Sequence, residues 1–154
     1  MGTSSIEAAY QPFADTLQGG GFTEPDSGWN ASQVGAHIAL SNELFSDLAE
    51  RMHRGDEVSF NNSGVVDSEA LLAYATGLGG LTGLAGAVRT SAARLARAYD
   101  SLSPEERARP IPMTLWHEGQ IVRDSPTPLG DLIVGNGDFH LAMHYEQLQA
   151  LQPS

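Results

Sequence analysis

Apolar residues recur at steps of three and four in several separate stretches of this 154-residue chain, and glycine or proline interrupts the chain between them. A period near 3.6 buries one face of a helix, and the interruptions say where each helix stops. In residues 4–18 the stripe is Ile6, Tyr10, Phe13 and Leu17; Pro12 is a candidate kink, and Gly19-Gly20-Gly21 ends the segment. A second helix is predicted to open at Asn30, with Gln33 reaching back to complete a capping box. Val34, Ile38, Ser41, Phe45, Leu48 and Met52 form its stripe, His37 and Leu44 lie beside it, and Arg54-Gly55 stops it.

A loop, GDEVSFNNSGVV, then leads to Asp67-Ser68, which reads as an N-cap. The stretch from there to Leu102 is rich in Ala and Leu but broken by Gly77, Gly79, Gly80, Gly83 and Gly86. Each interior glycine costs about 1 kcal/mol relative to alanine, so the stretch divides into a short helix to residue 76 and a long one over 81–102. Leu84, Val88, Ala92, Leu95 and Tyr99 line the long helix, and Ser103-Pro104 ends it. Residues 110–124 hold two β-prone runs around His117-Glu118-Gly119-Gln120, the pattern of a small hairpin. The last helix is expected to start with Thr127 as N-cap and Pro128 in the first turn, and to run to Leu151. Together these elements predict one all-α domain over residues 1–154: an up-and-down or crossed four-helix bundle with a short extra helix and a small β-hairpin before the last helix.

Composition narrows the chemistry. There is no cysteine and no lysine, which excludes a thiolate ligand, a cysteine nucleophile, a disulfide and Schiff-base catalysis, so any metal must be held by His, Asp or Glu. The formal charge is −11, and all 8 cationic residues are arginines scattered from Arg51 to Arg123. Neither a nucleic acid nor an anionic membrane surface suits such a chain. The first residues lack the basic and apolar regions of a signal peptide, and no apolar run approaches the roughly 18 residues of a membrane span, so a cytoplasmic protein is expected. The sequons at Asn30 and Asn61 read as chance or capping chemistry.

His140 and His144 stand four positions apart on the last helix, a spacing that sends both imidazoles to one side with Cβ atoms about 5–6 Å apart. They belong to a stripe of Leu129, Ile133, Asn136, His140, His144, Gln147 and Leu151 whose apolar ends direct it inward. A catalytic site of this kind needs a third protein ligand. His37, on the buried flank of the second helix, is the leading candidate. Three imidazoles suit Zn²⁺ first, with Ni²⁺ or Fe²⁺ as alternatives, and leave coordination positions open. Leu141, Ala142 and Met143 between the pair exclude a zincin HExxH site. The competing reading is a pair of hydrogen-bonded core histidines that ligate nothing.

Other residues fall into secondary roles. His53 reads as a helix-end residue favoured by the dipole, and His117 as a solvated turn residue that could overhang the site. Asn136 is a candidate ligand contact or backbone partner. Arg89, Arg94 and Arg97 are candidates for gripping a carboxylate, with salt bridges to the abundant acids as their commoner fate. Trp29 and Trp116 read as packing residues, and Glu105-Glu106 as a helix start.

The Trp-initiated second helix WNASQVGAHIA, together with PTPLGDLIVGNGDFHLAMHYEQL and its distant HxxxH, resembles the DinB-like, or YfiT-like, metal-binding bundle superfamily, which includes the N-terminal domain of mycothiol-dependent maleylpyruvate isomerases. The resemblance is specific around His37 and over 127–151, and follows the order of elements elsewhere. It implies a four-helix bundle in which His37, His140 and His144 bind a divalent metal, with a low-molecular-weight thiol activated as a metal-bound thiolate for S-transfer or isomerisation. The Ala, Gly and Arg bias without Lys looks like a high-GC actinobacterial protein, which makes mycothiol the expected thiol and a small-molecule electrophile the expected second substrate. The alternatives are a hydrolase using metal-bound water and a non-catalytic metal-binding or structural bundle. Homodimer formation is a further expectation, with Gly83 and Gly86 allowing close helix approach.

Overall fold

Asn30 fixes the start of the longest helix: its side-chain oxygen accepts from the Gln33 backbone N–H at 3.0 Å, and the Gln33 side-chain Oε1 accepts from the Asn30 N–H at 2.9 Å. In the computed structural model, which describes residues 3–153, this helix is α2, Ala31–His53. It follows α1, Thr3–Gly19, which contains Pro12 and ends as Gly20 and Gly21 take positive φ. The predicted stripes of both helices are buried, from Ile6 to Leu17 and from Val34 to Met52.

A strand, β1 (Phe60–Asn61), and a 3₁₀ turn at Ser63–Val65 precede α3, Ser68–Gly77, whose N-cap Asp67 accepts from Ala70 N–H at 2.7 Å. The chain then bends by 99° into α4, Leu81–Ser101. Gly79 and Gly80, at φ 84° and 102°, supply the bend, because a side chain is strained in that region of backbone space. The split expected from the glycines is therefore the observed one. No single helix among the described residues is long and apolar enough to cross a membrane.

After α4, Ser103 and Glu106 form a second capping box on a short helix, α5, Pro104–Ala108. The β-rich stretch is more extensive than a hairpin. Strands β3 (Met113–His117) and β4 (Gln120–Asp124) pair antiparallel around Glu118-Gly119, and β1 joins the far edge of β3 in parallel. Separately, β2 (Pro110–Ile111) pairs with β5 (Thr127–Pro128). This corrects two expectations. Residues 60–61 are a strand in what reads as a polar loop, and Thr127 is not a helix cap: its hydroxyl donates to the Ser125 carbonyl, and the helix begins one residue past Pro128.

The last helical segment is α6, Leu129–Gly135, then a single π-helical stretch, Asn136–His140, then α7, Leu141–Ala150. A π turn inserts a residue into the helix and so shifts everything beyond it around the axis. The buried positions after it are Leu141, His144, Leu148 and Leu151, so Leu148 takes the core place expected of Gln147.

The chain is mostly helical with a small sheet. Helix α4 packs along both α1 and α2, and the α6–α7 segment also contacts α1 and α2. Residues from all four long segments fill the apolar core. At its centre lies a polar chain: Asn136 Nδ2 donates to Tyr10 Oη at 2.8 Å and to Asn42 Oδ1 at 3.1 Å, Asn42 Nδ2 donates to Ser91 Oγ at 3.2 Å, and Ser91 Oγ donates to the Val88 carbonyl. Thr23 clamps the far end by donating from both its N–H and its hydroxyl to the Leu151 carbonyl.

Gly83 serves the bend within the chain. A Cβ there would lie 1.9 Å from the Leu78 carbonyl oxygen, whereas one at Gly86 would meet nothing within 4 Å. Gly83→Ala is accordingly expected to lower unfolding free energy by about 1–3 kcal/mol through overpacking. Gly86→Ala should raise it by up to about 1 kcal/mol through helix propensity. Urea denaturation of the two variants checks the contrast.

Candidate metal centre

His37 projects from the middle of α2, and His140 and His144 from either side of the junction between the π turn and α7. The three rings form a nearly equilateral group, with centroids 4.7, 4.7 and 4.5 Å apart and each pair edge to face. One nitrogen from each can be chosen so that all three lie within 4.8 Å of one another. The sequence reading named these three residues, and the fold brings them together.

Hydrogen bonds decide which nitrogens face inward. His37 Nδ1 lies 2.5 Å from the Val65 carbonyl oxygen, which can only accept, so Nδ1 carries the proton and Nε2 keeps its lone pair. His144 Nδ1 donates in the same way to Gln147 Oε1 at 2.8 Å. His37 Nε2 approaches His140 Nε2 at 2.7 Å. On the other side of the His140 ring, Nδ1 is buried without a partner. Buried polar nitrogens are normally paired, so this one stands out, but it is Nε2 that faces the His37 ring.

Burial also sets the protonation state. Desolvation, followed by the charge of His144, pushes His37 down to about 4, with the Val65 bond opposing the shift. Burial, His37 and His144 together lower His140 to about 3. Burial lowers His144 against the pull of Gln147. All three rings are neutral at pH 7, the form that ligates. The donor set fits a divalent first-row ion such as Zn²⁺, Ni²⁺ or Fe²⁺, and the outward Nδ1–H bonds of His37 and His144 are the kind of support that orients ligating imidazoles.

Trp29 has a place that the sequence did not reveal. Its ring packs against His37 at 4.9 Å and stacks on His144 at 6.0 Å, while Nε1 donates to Ser68 Oγ. It covers one side of the group and is more than a packing residue of the core. On the other side a cavity of about 560 Å³ reaches His37 and His140, with Phe45, Phe60, Met113 and Leu115 among its walls. The sequence signal for the sheet's share of this wall was weak, because β1 is two residues long and its pairing with β3 joins positions more than fifty apart in the chain.

The remaining candidates lie elsewhere or take structural roles. Asn136 lines the cavity, yet its amide is committed to Tyr10 and Asn42. His53 is exposed and pairs with Glu106, and His117 is exposed beside Glu118. Arg89 pairs with Asp15, and Arg94 with Glu43 and Glu50, so neither is free to grip a substrate. Asn30 caps α2, and Asn61 Oδ1 accepts from Ser63 N–H at 2.9 Å in a local Asx-type turn.

No protein-family model matches this chain, and neither does any curated protein or solved structure.

The neutral triad predicts an acid-sensitive fold in the absence of metal. The unfolded imidazoles titrate near 6.5, whereas in the fold His37 resists protonation down to about 4 and His140 to about 3, and His144 is shifted in the same direction. Between those limits the unfolded chain binds protons that the folded chain refuses. Stability is thus complete above about pH 6.5 and falls on acidification, by about 1.4 kcal/mol per pH unit for each histidine that stays neutral. Urea titrations of chelator-treated protein between pH 7.5 and 5 measure this slope, which His140→Leu should reduce.

Proposed function

We propose that this chain is a divalent-metal enzyme of the DinB-like four-helix-bundle type, holding its ion on His37, His140 and His144 and activating a low-molecular-weight thiol, mycothiol first, for S-transfer or isomerisation. The observation that carries this reading is the inward convergence of three neutral imidazoles, two with their protons fixed outward by Val65 and Gln147. The order of elements and the motifs around His37 and over 127–151 support the same family. Zn²⁺ is the first choice of ion, with Ni²⁺ or Fe²⁺ next.

An ion held there supplies Lewis acidity, lowering the pKa of a bound thiol or water. The chain's own residues do the rest. Val65 and Gln147 keep the His37 and His144 rings turned so that their Nε2 lone pairs point inward. Trp29 closes one approach, so reactants enter from the cavity side. There Phe45, Phe60 and Met113 provide apolar surface that limits water and suits an organic electrophile. Because the chain has no cysteine, the sulfur must arrive with the thiol.

A hydrolytic reading has one observation in its favour: Asp131 lies on the same cavity wall, where a carboxylate could accept a proton from water. Two measurements test the proposal. Elemental analysis of untagged protein should give about one equivalent of a divalent ion, lost in His144→Ala, because a ligand set of three does not survive as two. Turnover of a chloronitrobenzene by metal-loaded protein should require added thiol. Metal content well below one equivalent, or unchanged in His144→Ala, overturns the centre. Thiol-independent turnover favours the hydrolase, and a loaded protein inert with every thiol and ester tried favours the non-catalytic bundle.

A further inference from the structure

The cavity beside the histidines has a charge pattern as well as a shape. Its wall is built from α2, β1, the hairpin and the α6–α7 segment, and the exposed rim carries Phe139 and Met143, 77% and 57% accessible. These two side chains, one helical turn apart, give the mouth of the cavity an apolar edge. One arginine lines the same space. Arg123, on β4, stands opposite Leu115 of β3 in the strand register, and directly opposed residues of an antiparallel pair share a face of the sheet. Leu115 is a cavity wall, so Arg123 is carried on the cavity side of the hairpin.

Among the described residues the arginines joined to a carboxylate within 4 Å are Arg51, Arg54, Arg89 and Arg94. Arg97, Arg107, Arg109 and Arg123 are not among them, and of these it is Arg123 that lines the cavity. Asp131 lines the cavity from α6, and among the described residues no ion pair within 4 Å joins it to Arg123. An anionic group entering this space is therefore attracted to the hairpin side and repelled from the α6 side. A guanidinium presents paired N–H donors that match a carboxylate.

We propose that this cavity binds a small aryl carboxylate, with Arg123 holding the carboxylate and Phe45, Phe60, Phe139 and Met143 enclosing the ring. As an assignment of the electrophile's class it rests on the metal-enzyme reading above; as a binding site it does not. The volume of about 560 Å³ falls among ordinary small-molecule sites and accommodates two fused rings with a substituent.

The test uses 2-naphthoate and 2-naphthamide, which share a ring system and differ in charge, and measures their dissociation constants by fluorescence titration on the full chain with chelator and with zinc. Naphthoate is expected to bind about fivefold more tightly than naphthamide in both states, as a partly exposed ion pair allows. Arg123→Gln should abolish the ratio without weakening naphthamide, Arg123→Lys should restore part of it, Asp131→Asn should enlarge it, and Phe139→Ser should weaken both probes alike. Arg123 is exposed on a strand, so its variants test binding rather than folding. A ratio near one in the wild type, or binding of neither probe, overturns the proposal. So does a ratio that survives Arg123→Gln; if it then appears only with zinc, the carboxylate sits on the metal. A protein that takes up no zinc but keeps the Arg123-dependent ratio defeats the metal reading and leaves this site standing.

Discussion

A single buried amide sets the register on which the histidine group depends. Asn136 gives both hydrogens of its side-chain nitrogen to partners on other helices, Tyr10 on α1 and Asn42 on α2, and Asn42 passes the chain on to Ser91 on α4. A polar group left unpaired in the interior costs about 1–3 kcal/mol. Sliding or rotating one helix past another breaks several such bonds together, so the network admits few arrangements of the four long segments. Apolar stripes alone would tolerate many.

That constraint falls where the last helix leaves regular geometry. Asn136 begins the π-helical stretch and His140 ends it. The anchored end lies one turn from the first histidine and two turns from the second, so the helix-crossing network and the imidazole group are mechanically close. The rest of the site is made by short-range bonds: Val65, in the 3₁₀ turn after β1, holds His37, and Gln147, one turn beyond His144 on α7, holds His144. With burial keeping the rings uncharged, the protein presents lone pairs where it would otherwise present repelling cations.

The proposed chemistry uses the two sides of this group differently. Trp29 blocks one, and the small sheet builds much of the other. The hairpin thus does what the helices cannot, since it carries Arg123 and Leu115 over a cavity whose floor is helical. In a chain with so many acids, an arginine without a carboxylate partner at that place gives the cavity a polarity that net charge conceals.

Local chemistry in the sequence determined most of the helices. The stripes of α1, α2 and α4, the Asn30–Gln33 box, the Asp67 cap and the glycine break before α4 depend on residues within a turn or two, so they can be read from order alone. The identity of His37, His140 and His144 as a group was legible for a related reason, because two lie four apart on a helix and the third sits on a buried flank. What the tertiary structure decided is non-local. The pairing of Phe60-Asn61 with β3 and the use of Thr127-Pro128 as a strand depend on partners outside the local sequence, and the π turn breaks the helical period without a signal in the residue order. So does the placing of Trp29 over the imidazoles. The tautomers of His37 and His144 were also beyond the sequence, since they follow from which oxygen each Nδ1 meets, and one of those oxygens is a backbone carbonyl that any residue type would supply.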